Sequence, residues 1–188
     1  MSYINEMLEF NKEFVESKRY ETFDTTRFPN KKIAILSCMD TRLTELLPAA
    51  LNLKNGDAKI IKNAGAVVLH PFGSVIRSLL VAIYELGIQD ILVIGHYDCG
   101  MQGLESSGLI KKMEDRNISK EKIDLVQCAG IDIHKWLSGF DDAETSVAET
   151  VKVIKNHPFI PSDINVYGFM IDPKTGKLSR LEDLKHTK

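Results

Sequence analysis

Two apolar runs, Ile33-Ala34-Ile35-Leu36 and Ile91-Leu92-Val93-Ile94, set the tightest limit on the fold of this chain. Each reads as a strand, and helical patterns lie between and after them. That order of strand and helix implies an α/β fold: a mostly parallel central β-sheet flanked by helices. The expected strands are Lys32–Leu36, Ala58–Ile61 and Asp90–Ile94, then Asn165–Ile171 and its return partner Lys177–Leu181 across the turn Asp172-Pro173-Lys174-Thr175-Gly176. The expected helices are Thr44–Leu53, with Pro48 shortening or kinking it, then Ser74–Leu86, Gly103–Met113, Lys120–Ile133 and Asp141–Asn156. Ser74–Leu86 is the strongest of these. Val75, Leu79, Ala82, Ile83 and Leu86 share one face, and Gly87 supplies the stop.

The first 30 residues behave differently. Ile4, Met7, Leu8, Phe14 and Val15 form an imperfect helical stripe with a long polar face, and Phe28-Pro29-Asn30 breaks the chain before the first strand. Residues 1–30 therefore read as an N-terminal helical arm that packs on something else, such as a partner subunit. The whole chain, 188 residues and 44% hydrophobic, suits one domain spanning 1–188.

Several function classes fall away on composition. A net charge of −2 leaves no basic footprint for nucleic acid. No apolar run nears the roughly 20 residues that span a bilayer. No basic stretch followed by an apolar one opens the chain, so no secretory signal is expected. Three cysteines, at 38, 99 and 128, argue against a disulfide framework and for a reducing, cytoplasmic setting.

The chemistry sits where the two apolar runs end. Cys38-Met39-Asp40-Thr41-Arg42 follows the first, and His96-Tyr97-Asp98-Cys99 follows the second. Parallel neighbours about 4.8 Å apart bring such ends to one sheet edge. Cys38, His96 and Cys99 then offer two thiolates and an imidazole to one Zn²⁺ per chain, with a fourth position free, as in a catalytic site. Asp40 is near enough to that position to orient a bound hydroxide, or to displace it and ligate the metal. Arg42 can hold the carboxylate in a bidentate pair and keep it ionised. Gly95 and Gly100 bracket the second string where a side chain would obstruct the backbone.

Cys-x-Asp-x-Arg, then Asn63-Ala64-Gly65, then Gly95-His96-Tyr97-Asp98-Cys99-Gly100, in this order and spacing, resembles the β-class carbonic anhydrases, and within them the small archaeal-type branch. The resemblance runs from about Ile33 to Leu181. It implies Cys38, His96 and Cys99 as zinc ligands, Asp40 with Arg42 as the catalytic dyad, and reversible hydration of CO₂ to bicarbonate and a proton by zinc-bound hydroxide. It also implies a homodimer or dimer of dimers, with N-terminal helices across the neighbouring subunit and a small apolar pocket at the interface. The plant-type branch carries a glutamine before its first cysteine. Here Gln89, Gln102 and Gln127 all follow Cys38, so an apolar pocket is expected, with Asn63, Gly65, Ala66, Val67, Val68 and Gly100 as its candidates.

Other residues receive plainer readings. Asp98 orients the turn or a backbone amide, Tyr97 packs, and Cys128 lies in the core beside Leu125 and Ile131. His70, next to Pro71, is the candidate for a proton relay or pocket rim, while His134, His157 and His186 belong to surface or loops. Two rival functions stand beside hydration. One is hydrolysis of carbonyl sulfide or carbon disulfide at the same site, and the other a non-catalytic zinc or thiol redox module. A nucleotide-binding domain is set aside, because neither a Gly-x-Gly-x-x-Gly nor a Gly-Lys-Ser/Thr segment occurs.

Overall fold

The computed structural model describes residues 2–184. In chain order they form α1 (Tyr3–Glu16), β1 (Ile33–Cys38), α2 (Leu43–Ala50), β2 (Ala58–Asn63), α3 (Ser74–Leu86) and β3 (Asp90–His96). Then come α4 (Ser106–Glu114), α5 (Lys120–Cys128), α6 (Ile133–Leu137), α7 (Ala143–Lys155), β4 (Asn165–Ile171), β5 (Leu178–Arg180) and α8 (Leu181–Leu184). The strands make one sheet in the order β2-β1-β3-β4-β5. All pairs are parallel except β4 with β5, which the short Asp172–Lys177 turn joins as an antiparallel hairpin.

Strand β1 lies between β2 and β3, so the chain leaves it first to one side and later to the other. An open α/β sheet has its crevice at such a reversal, beyond the carboxyl ends of the strands. The β1–β3 register sets Ser37 opposite Ile94, which leaves Cys38 and His96 just beyond, at the two neighbouring ends.

Period-two alternation divides the core between the sheet faces. Ala34, Leu36, Ile91, Val93, Val166 and Met170 pack under α3 and α7, with Ile76, Leu79, Val147 and Ile154. Ile35, Ile94 and Ile171 face the other way, against Leu43 and Leu47 of α2, and this second cluster also contains Cys38 and Cys99. The approach of α7 requires glycine. A Cβ on Gly95 would stand 2.5 Å from Val147 Cγ2, and one on Gly168 3.0 Å from Val147 Cγ1. Val147 thus seats directly on the backbone of β3 and β4.

Helix α3 has the bounds read from its stripe, with Gly87 left-handed at φ 70° closing it. Other elements depart from expectation for local reasons. The first helix stops at Glu16 and gives way to a 3₁₀ turn over Arg19–Phe23, because Lys18 is left-handed at φ 55°. Strand β1 runs on to Cys38, so the first cysteine ends the strand instead of following it. Helix α2 keeps Pro48 inside and ends two residues later. Gly103, at φ 70°, delays α4 to Ser106, and Gly130, at φ 84°, separates α5 from α6 where one helix was expected.

That break corrects the reading of Cys128. It closes an outlying helix and is exposed, as are Leu125 and Ile131, since among the described residues no element covers that side. His157 is corrected in the opposite sense: it is 4% exposed, enclosed by Phe72 and Phe159 with ring centroids at 5.3 and 5.5 Å. His134 is exposed as expected, and His186 lies outside the described residues.

Replacing Gly95 by Ala should cost about 1–3 kcal/mol, since Val147 must move off β3. Gly108, exposed inside α4 with open space around it, should behave oppositely, Gly108→Ala gaining about 0.5–1 kcal/mol. Urea unfolding of the two variants checks the pair of signs.

Candidate metal centre

Strand ends and their loops bring Cys38, His96 and Cys99 together. All three are buried, and one ligand atom from each lies within 4.8 Å of the others. The sulfurs are 3.9 Å apart. Two thiolates at tetrahedral corners, each about 2.3 Å from a zinc, would stand about 3.8 Å apart. The geometry fits the ion.

The imidazole is already oriented for it. His96 Nδ1 lies 2.8 Å from the Tyr97 carbonyl, which can only accept, so Nδ1 carries the proton. Nε2 keeps a lone pair and has no hydrogen-bond partner although it is buried. A buried acceptor without a partner is costly, and a metal ion would satisfy it.

The thiols are not equivalent. Burial would raise Cys38, but the adjoining His96 imidazole and the Gly65 and Asp40 amides outweigh it and bring the thiol down to about 7. Burial pushes Cys99 up to about 11; the Met101 amide opposes this only in part, and the charge of Cys38 adds to it. For His96, burial favours the neutral ring, yet the neighbouring Cys38 sulfur raises its pKa overall. One thiolate forms readily, and a dication is needed to draw out the second.

Asp40 and Arg42 stand beside this trio. Arg42 Nε and its backbone N–H donate to Asp40 Oδ1 at 3.0 and 2.9 Å, and Nη2 donates to Oδ2 at 2.8 Å. These bonds to Arg42 hold the Asp40 carboxyl at about 2, far below the usual range. Asp40 Oδ2 is 3.8 Å from His96 Nε2, the atom that faces the ion position.

The sequence reading missed the role of Asp98. Its carboxylate and its carbonyl each accept from Arg42 at 2.8 Å, so one guanidinium ties the loop after β1 to the loop after β3. Asp98 is left-handed at φ 55°, a conformation that Asp tolerates better than most residues. An Asp-Cys pair after a strand was the only available signal. Tyr97 is 39% exposed and anchors the loop through its N–H to Ile171 O, more than by packing.

The pocket candidates separate into two kinds. Asn63 ends β2, and its side-chain amide closes on Val67, donating to the carbonyl at 2.7 Å and accepting the N–H at 3.1 Å. Gly65 and Ala66 inside that loop are buried, both at positive φ, and Val67 and Val68 are partly buried. Gly100 is exposed with no atom of the chain near a would-be Cβ, so the obstruction expected there is absent while that at Gly95 is real. His70 is exposed, its Nδ1 accepting the Phe72 N–H at 3.0 Å and its ring edge-on to Phe72 at 6.4 Å.

Comparison with known proteins identifies the family. The family model described as carbonic anhydrase matches residues 33–178. YtiB of Bacillus subtilis, provisionally named a carbonic anhydrase, is 54% identical over 178 residues, covering 95% of each chain. The crystal structure of β-carbonic anhydrase isoform I from Trichomonas vaginalis superposes with a TM-score of 0.88 at 34% identity, covering 96% of this chain and 98% of that one. A carbon disulfide hydrolase from Acidithiobacillus thiooxidans is 27% identical over 156 residues, 79% of this chain and 76% of its own. The strand-end trio and its Asp–Arg neighbour thus stand on the fold of a known class of enzymes, and the chain belongs to the β-carbonic anhydrase family.

Zinc uptake by the apoprotein should release protons, and the apparent affinity should climb as pH rises from 6 to 8, because thiol protons compete with the metal. Chelator competition across that range measures it; an affinity independent of pH would exclude the cysteines.

Proposed function

We propose that the chain catalyses reversible hydration of CO₂ to bicarbonate and a proton, with one Zn²⁺ held by Cys38, His96 and Cys99. The observation that carries this reading is the unpartnered, buried Nε2 of His96 beside two sulfurs at ligand spacing, with an ionised carboxylate at the same position. Zinc bound there supplies a Lewis acid that brings the pKa of its water toward about 7, the value known for three-histidine carbonic anhydrases.

The chain's own residues do the rest. Asp40, ionised throughout the neutral range, can only accept a hydrogen bond. It takes one from the nucleophilic water and turns the oxygen lone pair toward the carbon of CO₂. With a pKa of about 2 it cannot keep a proton, so the proton released with bicarbonate passes on to solvent buffer. Arg42 fills the carboxylate's remaining lone pairs, which supports Asp40 as an orienting group in preference to a fourth metal ligand. Ala66, Val67 and Val68, with Asn63 and Gly65 shaping their loop, offer an apolar flank for a nonpolar substrate.

The assembly reading is a homodimer, or a dimer of dimers, formed across the N-terminal arm. Helix α1 has no buried residue, and Ile4, Met7, Leu8, Phe10 and Val15 on it are all more than half exposed. An unpaired stripe of that kind calls for a surface outside its own chain. The described residues contain no helix long and apolar enough to cross a membrane. Thiols that must stay reduced to hold the metal fit a cytoplasmic setting.

Stopped-flow CO₂ hydration by zinc-loaded protein tests the activity, with carbonyl sulfide and carbon disulfide as competing substrates; turnover of the sulfur compounds alone would favour the hydrolase. Asp40→Ala should lower kcat about 100-fold while zinc content stays at one per chain, as misorientation of the nucleophile requires. Deleting residues 1–30 should shift the light-scattering mass toward the monomer.

A further inference from the structure

Two loops flank the sulfurs of the trio. Met101 follows Cys99 by two residues, and the loop after β2, with Gly65, is tied to the end of β1 where Met39 N–H, next to Cys38, donates to Asn63 O at 2.9 Å. Both sulfurs lie in the cluster against which Met101 and Phe140 pack. These loops are far apart in the chain, and Phe140 touches both.

Phe140 lies in the segment that leads into α7, and this segment is laced to the loop after Cys99. Phe140 N–H donates to Met101 O at 3.2 Å and Gly103 N–H to Phe140 O at 2.9 Å. Gly139 N–H donates to Leu104 O at 2.9 Å, and Gln102 Nε2 to Asp141 O at 3.0 Å. The two backbones meet so closely that a Cβ on Gly139 would stand 1.8 Å from Met101 O. The ring then reaches the other loop. A Cβ on Gly65 would stand 2.9 Å from Phe140 Cε1 and 3.4 Å from Met101 Cγ, so the ring edge rests on the Gly65 backbone itself. Phe140 packs against both core clusters, one on each face of the sheet.

We infer that Phe140 is a positioning residue for the metal centre: its backbone fixes Met101 and its ring fixes Gly65, holding the two loops that flank the ligand sulfurs. The inference rests on Cys38 and Cys99 being metal ligands. Groups that orient ligands in this way commonly change metal affinity or activity by 10–100-fold when lost.

The test compares cobalt-substituted wild type, Phe140→Ala and Phe140→Leu, with chelator-driven zinc release measured on the zinc forms. Without that brace the two loops loosen and the sulfurs lose their fixed direction. The sulfur-to-cobalt charge-transfer bands of Phe140→Ala should therefore shift or weaken, and zinc should leave about tenfold faster. Phe140→Leu, which refills most of the space, should lie between Ala and wild type. A folded Phe140→Ala with a lowered Tm but wild-type bands and release rate overturns the inference, because packing alone would then explain the residue. If Phe140→Ala does not fold, Phe140→Leu decides by the same two readouts. Wild type lacking thiolate bands would remove the sulfur ligands and both readings; unchanged variants remove only this one.

Discussion

The parallel pairing of β1 with β3 is the constraint on which the site depends. Its register places Cys38 and His96 at adjacent strand ends, and the short turn after β3 returns Cys99 to the same point. Everything that secures the pairing therefore secures the cluster of Cys38, His96 and Cys99: the apolar residues alternating to two faces, the seat of Val147 on Gly95, and α2 covering the group that includes both cysteines. A slip of one residue between these strands would send one ligand to the wrong face. Burial on both sides makes such a slip costly, so the core specifies the chemistry as well as the fold.

Around that frame, charge is distributed by very few groups. Arg42 answers Asp40 and Asp98 together, and its bonds span the two loops that carry the ligands. Arg42 is partly exposed, and a lone exposed ion pair is worth little. Here the fork geometry and the backbone carbonyl of Asp98 convert a weak pair into a three-point hold. Held far below the usual carboxylate range by Arg42, Asp40 is ionised through the neutral range, where it can accept a hydrogen bond but not store a proton.

Much of this was legible in the residues themselves. The candidate ligands stand out because each follows an apolar run near a strand end, and α3 because five apolar positions share a face before Gly87. What sequence left open depends on contacts between distant segments. His157 reads as a loop residue beside Pro158, but Phe72, 85 positions earlier, folds over it. Cys128 matches a helical stripe, yet it is exposed, as are Leu125 and Ile131. Asp98 and Phe140 show their part only once Arg42 and Gly65 are in place. Local pattern locates elements and ligands; support from other loops has no local signature.

The arm has a consequence for divergence. A helix that lends no side chain to the interior is held to its sequence by nothing in its own fold. Its residues can drift, or be exchanged, without disturbing the strand pairing or the Cys38, His96 and Cys99 cluster. The exposed face of the first turns is thus free to diverge while the sheet and the cluster at its edge are inherited intact.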